Sequence, residues 1–373
     1  MGLFCDITSY NPRKNKMIKS IYRSHVLGAI ILLAASLSLQ SLTVSLNGAI
    51  QEEQPRRLQR FITFPRPDPD GVPTKVYVGI HVLDVMEIDD KAQTFKADFW
   101  GVIRWRDPRL AVEDSSGSAL MRSFTMEEIW SPYLYILNQR NLSTYYDPVF
   151  RVDDEGNVLF FQRYYGDLSV SLDLKDFPLD KQKLPIFAGS FRYGPEELEL
   201  VVNKDITGQR DAFTIEGWEV GEGEVQISTE RFEVQNRDLA RFDFILPAKR
   251  DFSYYLIKAL IPLLLILFMA WAVFFIDPSA LGPQIGIPTS SIFALILFMH
   301  RISGILPNIS YLTRIDKFIL FAIILVFLAL GEAIVTSMLA FREKKELALK
   351  MDRWARFIYL FCVVFVFVYS FYL

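Results

Sequence analysis

Few side chains in this sequence could make or break bonds together. The three histidines, His25, His81 and His300, fall in a basic leader, an alternating strand and an apolar span, so they form no metal or catalytic cluster. Cys5 and Cys362 lie near opposite ends, which leaves the middle without a disulfide or thiolate site. No glycine-rich phosphate loop, nucleophile elbow or zinc spacing occurs. An enzyme, a metal site and a cofactor are therefore not expected. The chemistry on offer is recognition. Trp100 shares the register of Lys96, Asp98 and Arg104, and so stands on the polar face of an alternating strand, where it fills no core. With Tyr135, Phe191, Tyr193 and Phe232 on turns or strand ends, it could build an aromatic box for a cationic or amine ligand. Scattered surface aromatics or an oligomer interface would give the same composition.

A second set of residues suggests passage. The apolar segment 285–301 reads IGIPTSSIFALILFMHR, too polar to face lipid all round. At 100° per residue, Gly286, Ser290, Phe293, Leu297, His300 and Gly304 fall within about 40° of one line. Small or polar groups at both ends with apolar bulk between could line a water-filled path that a hydrophobic ring closes by dewetting. A small-residue packing face is the alternative, and a path requires a symmetric oligomer, since one helix encloses nothing. Pro288 in this segment and Pro262 in the preceding one should loosen their helices, as hinges or as tolerated kinks.

These residues need elements to hold them. The chain has 373 residues, a mean hydropathy of +0.22 and 51% hydrophobic residues, too apolar for an ordinary soluble protein. Forty Lys and Arg against 43 Asp and Glu argue against nucleic acid as a partner. Residues 1–49 read as a signal peptide, with Arg13, Lys14, Lys16, Lys19 and Arg23 before the apolar run 26–39. Met17 would start a better proportioned leader, and an uncleaved anchor helix is the alternative. Residues 50–253 read as an extracellular all-β immunoglobulin-like sandwich: Val76, Val78, Ile80 and Val82 alternate, as do Phe95, Ala97, Phe99, Gly101, Ile103 and Trp105. Further strands are expected at 158–165, 198–202, 213–220, 225–234 and 240–246. This block carries 36 acids against 25 bases over residues 51–253. Residues 254–373 read as an α-helical four-span transmembrane bundle, with helices at about 254–276, 284–306, 316–340 and 352–373. Six basic residues against three acids between the last two spans, at 342–356, place that linker in the cytoplasm, and the sandwich and C-terminus outside.

The run VSLDLKDFPLDKQKL at 170–184 resembles the signature loop of the pentameric ligand-gated ion channels, the Cys-loop receptor superfamily. Thirteen residues separate Val170 from Leu184, the spacing of the family's paired cysteines, both replaced here as in prokaryotic members. Four more stretches are similar to the family in order: ADFWGVIRWRDPRL at 97–110, IWSP at 129–132, RDFSYYLIKALIP at 250–262 and LPNISYLTRID at 306–316. The resemblance implies a homopentamer in the cell (inner) membrane that binds a small-molecule or proton ligand between outer domains. It further implies a central pore for monovalent ions lined by the second span, with a gate at Phe293 and a second ring at Leu297. By the same comparison Trp100 matches the complementary-side binding strand, Leu137 and Asn138 the first principal-side loop, Phe191 the loop aromatic and Phe232 the capping loop. Leu137 replaces a usual Tyr. Phe177, Pro178, Asp180, Arg250, Pro307 and Tyr311 match the junction that couples the two domains, with Arg250 and Asp180 as an ion pair or as ordinary structural support.

Gly282-Pro283-Gln284 stands where cation-selective relatives often place a carboxylate ring, while the acidic outer block would concentrate cations and Arg301 opposes it. The balance points toward cations. Five His300 side chains on one axis would gain charge below pH roughly 6.5, giving proton modulation, or be solvated without a role. The alternative to a channel is a non-conducting membrane sensor or adhesion receptor using the same sandwich.

Overall fold

The structure, a computed structural model, describes residues 64–68, 71–112 and 121–372. The expected leader lies outside the described residues. Strands come first: β1 (Thr74–Asp89), β2 (Thr94–Arg106), β3 (Arg122–Phe124), β4 (Leu134–Ile136), β5 (Gln139–Thr144), β6 (Phe150–Val152), β7 (Asn157–Ser169), β8 (Lys181–Ser190), β9 (Leu198–Val202), β10 (Gly208–Gln209), β11 (Trp218–Val220), β12 (Glu224–Phe232) and β13 (Arg237–Arg250). One sheet runs β10-β1-β2-β7-β6-β3, with β5 on β7 and β9 on β1; the second runs β11-β13-β8-β4, with β12 on β13.

The two-residue period of a strand decides which face is inside. Val76, Val78, Ile80, Val82, Phe95, Ala97, Phe99 and Trp105 are buried, and share one core with Leu184, Ile186, Phe242, Phe244 and Leu246 of the other sheet. Trp105 packs edge-on against Trp130 and Phe150, with ring centroids 5.7 and 5.6 Å away. Alternation overreached at two places. The expected strand 213–220 shrinks to β11, because Gly217 takes a φ of 75° and Thr214 is held by the Asp84 carboxylate at 2.7 and 2.6 Å instead of by a ladder. The expected strand 225–234 stops at Phe232, where a short 3-10 turn ends on Asn236 at a φ of 48°.

Four helices follow, each long and apolar enough to cross a membrane: α1 (Ser253–Phe275), α2 (Leu281–Ser303), α3 (Arg314–Phe341) and α4 (Lys345–Tyr372). The turn Leu256–Leu260 of α1 is π-helical, just before Pro262, so the loosening expected there is present. Pro288 does not interrupt α2, which stays α-helical throughout. Thr289 and Ser291 donate their hydroxyls to the carbonyls of Ile285 and Ile287 at 2.8 and 3.0 Å, tying the turn around the proline together. α4 begins at Lys345, not near 352, and only residues 342–344 separate it from α3. Leu347, Ala348 and Leu349 are strong helix formers, and Glu346 suits a first helical turn.

Candidate functional site

The alternation of β13 carries a charge into the interior. Phe242, Phe244, Leu246 and Ala248 point inward, and the same register brings in Arg250, the last residue of the strand. Its guanidinium is met by two carboxylates. Asp180 accepts from Nε at 2.8 Å and from a terminal nitrogen at 3.2 Å, while Asp90 takes both terminal nitrogens at 2.7 and 2.9 Å. Rings complete the enclosure: the guanidinium carbon lies 4.1 Å from the centroid of Trp218 and 4.8 Å from that of Phe177. Burial opposes the charge of Arg250, but its hydrogen bonds to Asp90 and Asp180 outweigh burial and hold it above the ordinary arginine value. Asp90 is pushed above the ordinary aspartate value, chiefly by burial, against the pull of Arg250 and with the neighbouring Asp180 carboxylate adding to the rise.

Around this triad the strand loops meet the helices. Phe177, in cis linkage to Pro178, packs edge-on against Tyr255 at 4.9 Å. The Leu174 amide donates to the Tyr311 hydroxyl at 3.1 Å, and the Lys175 ammonium lies 5.7 Å from the centre of that ring. Arg314 donates to Asp176 at 2.8 Å, and Lys91 to the Gly304 carbonyl at 3.3 Å, just past the end of α2. Pro307 is half-buried in the segment between α2 and α3. Of the residues expected at the junction, Phe177 and Arg250 touch Tyr255 of α1, Asp180 is paired with Arg250, and Tyr311 meets the Leu174 amide, while Pro178 follows Phe177 and Pro307 lies between α2 and α3. The sequence reading missed Asp90 and Trp218. Asp90 was legible only as one of a pair of acids at a strand end.

The recognition residues separate into two groups. Tyr135, Phe191 and Phe232 form a chain of rings, with centroids 6.0 and 5.9 Å apart, at one end of the five-stranded sheet. Trp100 stands on the other sheet with Tyr146 (6.4 Å, stacked) and Phe161 (5.9 Å), both missed earlier. Beside them Arg163 is neutralised by a two-point pair with Asp98 at 2.9 and 2.6 Å. Two of the expected residues are engaged within the chain. Tyr193 is a core residue, buried with its hydroxyl accepting from Trp130 Nε1 at 2.9 Å. Asn138 spends its amide on the chain itself, donating to the carbonyls of Ser169 and Pro185 at 2.9 and 2.8 Å and accepting from the Phe187 amide at 3.1 Å. Leu137 is half-buried and lies close to Gly189 of β8, where a Cβ would come within 2.8 Å of its side chain.

On α2 the stripe Gly286, Ser290, Phe293, Leu297 and His300 is exposed along its length, with Phe293 at 64% and Leu297 at 71%. The opposite face, with Gln284, Ser291, Leu295 and Ile302, is buried. Within the chain, then, the stripe is not a packing face.

This architecture is shared with known proteins. Residues 55–246 match the model of the neurotransmitter-gated ion-channel ligand binding domain, and residues 259–361 that of the neurotransmitter-gated ion-channel transmembrane region. The chain belongs to this family of ligand-gated ion channels. It is 25% identical over 298 residues to a proton-gated ion channel of Gloeobacter violaceus, covering 80% of this chain and 82% of that protein. It is 23% identical over 320 residues to a gamma-aminobutyric acid receptor subunit beta-4 of Gallus gallus, covering 83% of this chain and 64% of the subunit. The family is one of multi-pass membrane channels and not of enzymes, and its members are pentameric and bind small-molecule or proton ligands. In the terms of these ligand-gated channels, the two aromatic groups belong to the ligand-binding domain and the Arg250 triad joins that domain to the transmembrane region.

Proposed function

We propose that five copies of this chain assemble around α2 as a homopentamer, and that a ligand held between neighbouring outer domains opens the central pore to small monovalent ions, with cations favoured. The observation that carries this reading is the exposed stripe of α2, on which Phe293 and Leu297 are the most exposed large apolar side chains of the helix while Gln284, Ser291, Leu295 and Ile302 on the opposite face are buried. Lipid would tolerate Phe293 and Leu297 but not Ser290 and His300 on the same line, whereas a five-fold axis gives each a place. Phe293 forms the closed gate, and Leu297 a second ring. The ligand site pairs the Tyr135, Phe191 and Phe232 rings of one subunit with the Trp100 face of the next. Asp98 neutralises Arg163 beside Trp100, and the Phe161 ring of that face already takes a cation, the Arg151 guanidinium carbon lying 4.8 Å from its centre, the kind of contact an amine would make. The relative's proton gating gives a second reading, favoured by the raised Asp90 carboxyl at the junction. The outer domain, strongly acidic by composition, faces the periplasm and enriches cations in the vestibule.

The test compares whole-cell currents without added ligand for wild type and Phe293→Ala, with surface expression measured in parallel. A standing current in the variant alone is expected, and its reversal potential in asymmetric salt reports the permeant sign. Well-expressed variant channels that pass no current would favour the non-conducting sensor or adhesion receptor.

A further inference from the structure

The helices hold a cavity that gating and permeation leave unused. It measures about 580 Å³ and lies between α3, α4 and the end of α1, toward the turn that joins α3 to α4. On α4 its wall runs from Lys350 through Trp354 and Ile358 to Cys362 in four-residue steps, and Leu328 of α3 lines it too. Leu328, Trp354 and Ile358 are exposed at the surface of the chain, so the cavity opens at the side of the bundle. At ~1.5 Å per residue, the row from Lys350 to Cys362 covers about 18 Å of helix, close to the roughly 15 Å of hydrocarbon in one leaflet.

Only one end of this row is charged. Glu332 also borders the cavity, but both of its carboxylate oxygens are buried, so the charge presented to an occupant is the Lys350 ammonium. Lys350 is exposed and has no hydrogen-bond or ion-pair partner among the described residues, whereas Lys345 is paired with Asp277 at 2.7 Å. A lysine at the polar end with a tryptophan one turn deeper is the arrangement of a membrane interface. The surrounding segment 342–356 carries six basic residues against three acids, and one of those acids, Asp352, is buried. A basic pocket between helices on the cytoplasmic side suits an anionic headgroup, and the apolar row behind it suits an acyl chain.

We propose that this cavity binds an acidic phospholipid of the cytoplasmic leaflet, its phosphate on Lys350 and one acyl chain along Leu328, Trp354 and Ile358 toward Cys362. The orientation proposed above enters only in naming the leaflet, and in nanodiscs both leaflets have one composition, so the test holds for either orientation. It uses the full-length channel in nanodiscs and the fluorescence of Trp354, isolated by subtracting that of Trp354→Phe. Phosphatidylglycerol or phosphatidylcholine, brominated on the same acyl chain, is titrated into unlabelled phosphatidylcholine. Phosphatidylglycerol should half-quench Trp354 at about fivefold lower mole fraction, the effect of one lysine on an anionic headgroup. Lys350→Gln should bring the two curves together without moving that of phosphatidylcholine, and Lys350→Arg should keep them apart. Arg353→Gln is the control: Arg353 is exposed nearby on α4 but lies outside the cavity wall, so its loss should leave the preference in place. Equal quenching by both lipids in the wild type would overturn the proposal, leaving the cavity to bulk lipid tails. So would a preference that Lys350→Gln leaves intact, or that Arg353→Gln removes equally, which would mean a diffuse attraction to the basic segment.

Discussion

At the scale of single residues, the decisive arrangement is one cation between two acids. Removing Arg250 leaves Asp90 and Asp180 facing each other in a buried site, and the loss of one partner of a buried pair costs about 3–5 kcal/mol. Arg250→Ala should therefore lower the melting temperature of the purified channel sharply and abolish gating. Exchanging charges is the finer probe. Arg250→Asp with Asp180→Arg rebuilds one pair but sets a new carboxylate against Asp90, so gating currents should return only when Asp90→Asn is added. Recovery without that third change would mean that Asp90 is not part of the unit. The raised Asp90 carboxyl also makes a prediction about pH. The folded channel takes up a proton there at a pH where the unfolded chain does not, so Asp90 contributes stability at low pH that is lost as pH rises through its raised value. The melting temperature of wild type should thus fall relative to that of Asp90→Asn, which is neutral at every pH, as pH rises through that window. Parallel curves across it would remove Asp90 as a titrating group.

At the scale of elements, α2 offers two faces for direct comparison. Leu295 is fully buried, and Leu295→Ala should cost about 2–5 kcal/mol by leaving a cavity, with a lower melting temperature. Leu297 is exposed in the chain, so Leu297→Ala should leave the melting temperature nearly unchanged and alter the current instead. The reverse pattern would place the stripe in a packing face. This division was readable beforehand because a 3.6-residue period sorts a helix into faces with no knowledge of its neighbours. The alternation of β1 and β2 was readable for the same reason. The irregular parts were not. Whether 213–217 continues a strand depends on Asp84, distant in sequence, capturing Thr214. The start of α4 was hidden by charges that suit a linker and a first helical turn equally well. Tyr193 and Asn138 looked like recognition residues by type and place, but their partners, Trp130 in one case and three backbone groups in the other, exist only once two sheets are assembled. Asp90 escaped notice for the same reason, since its partner lies 160 residues away.

At the scale of the whole molecule, the separation of Trp100 from Tyr135, Phe191 and Phe232 has a direct consequence. Each group lies on a different sheet, and neither forms a closed box by itself. If neighbouring subunits join the two groups, a rotation axis repeats the same heterologous contact until the ring closes. In a chain whose native cysteines Cys5 and Cys362 are changed to Ser, Trp100→Cys together with Phe191→Cys should then place one thiol on each side of every interface. A short bifunctional thiol reagent should link these into a ladder on a denaturing gel that ends at five subunits. Either substitution alone supplies only one side of each contact and should give monomer. A ladder stopping at two would mean a closed pairwise contact and no ring, while the absence of any ladder from well-folded oligomers would show that these aromatic groups do not meet across an interface. The number of bands therefore tests the ligand site and the stoichiometry of the pore in one measurement, with no need to know the ligand.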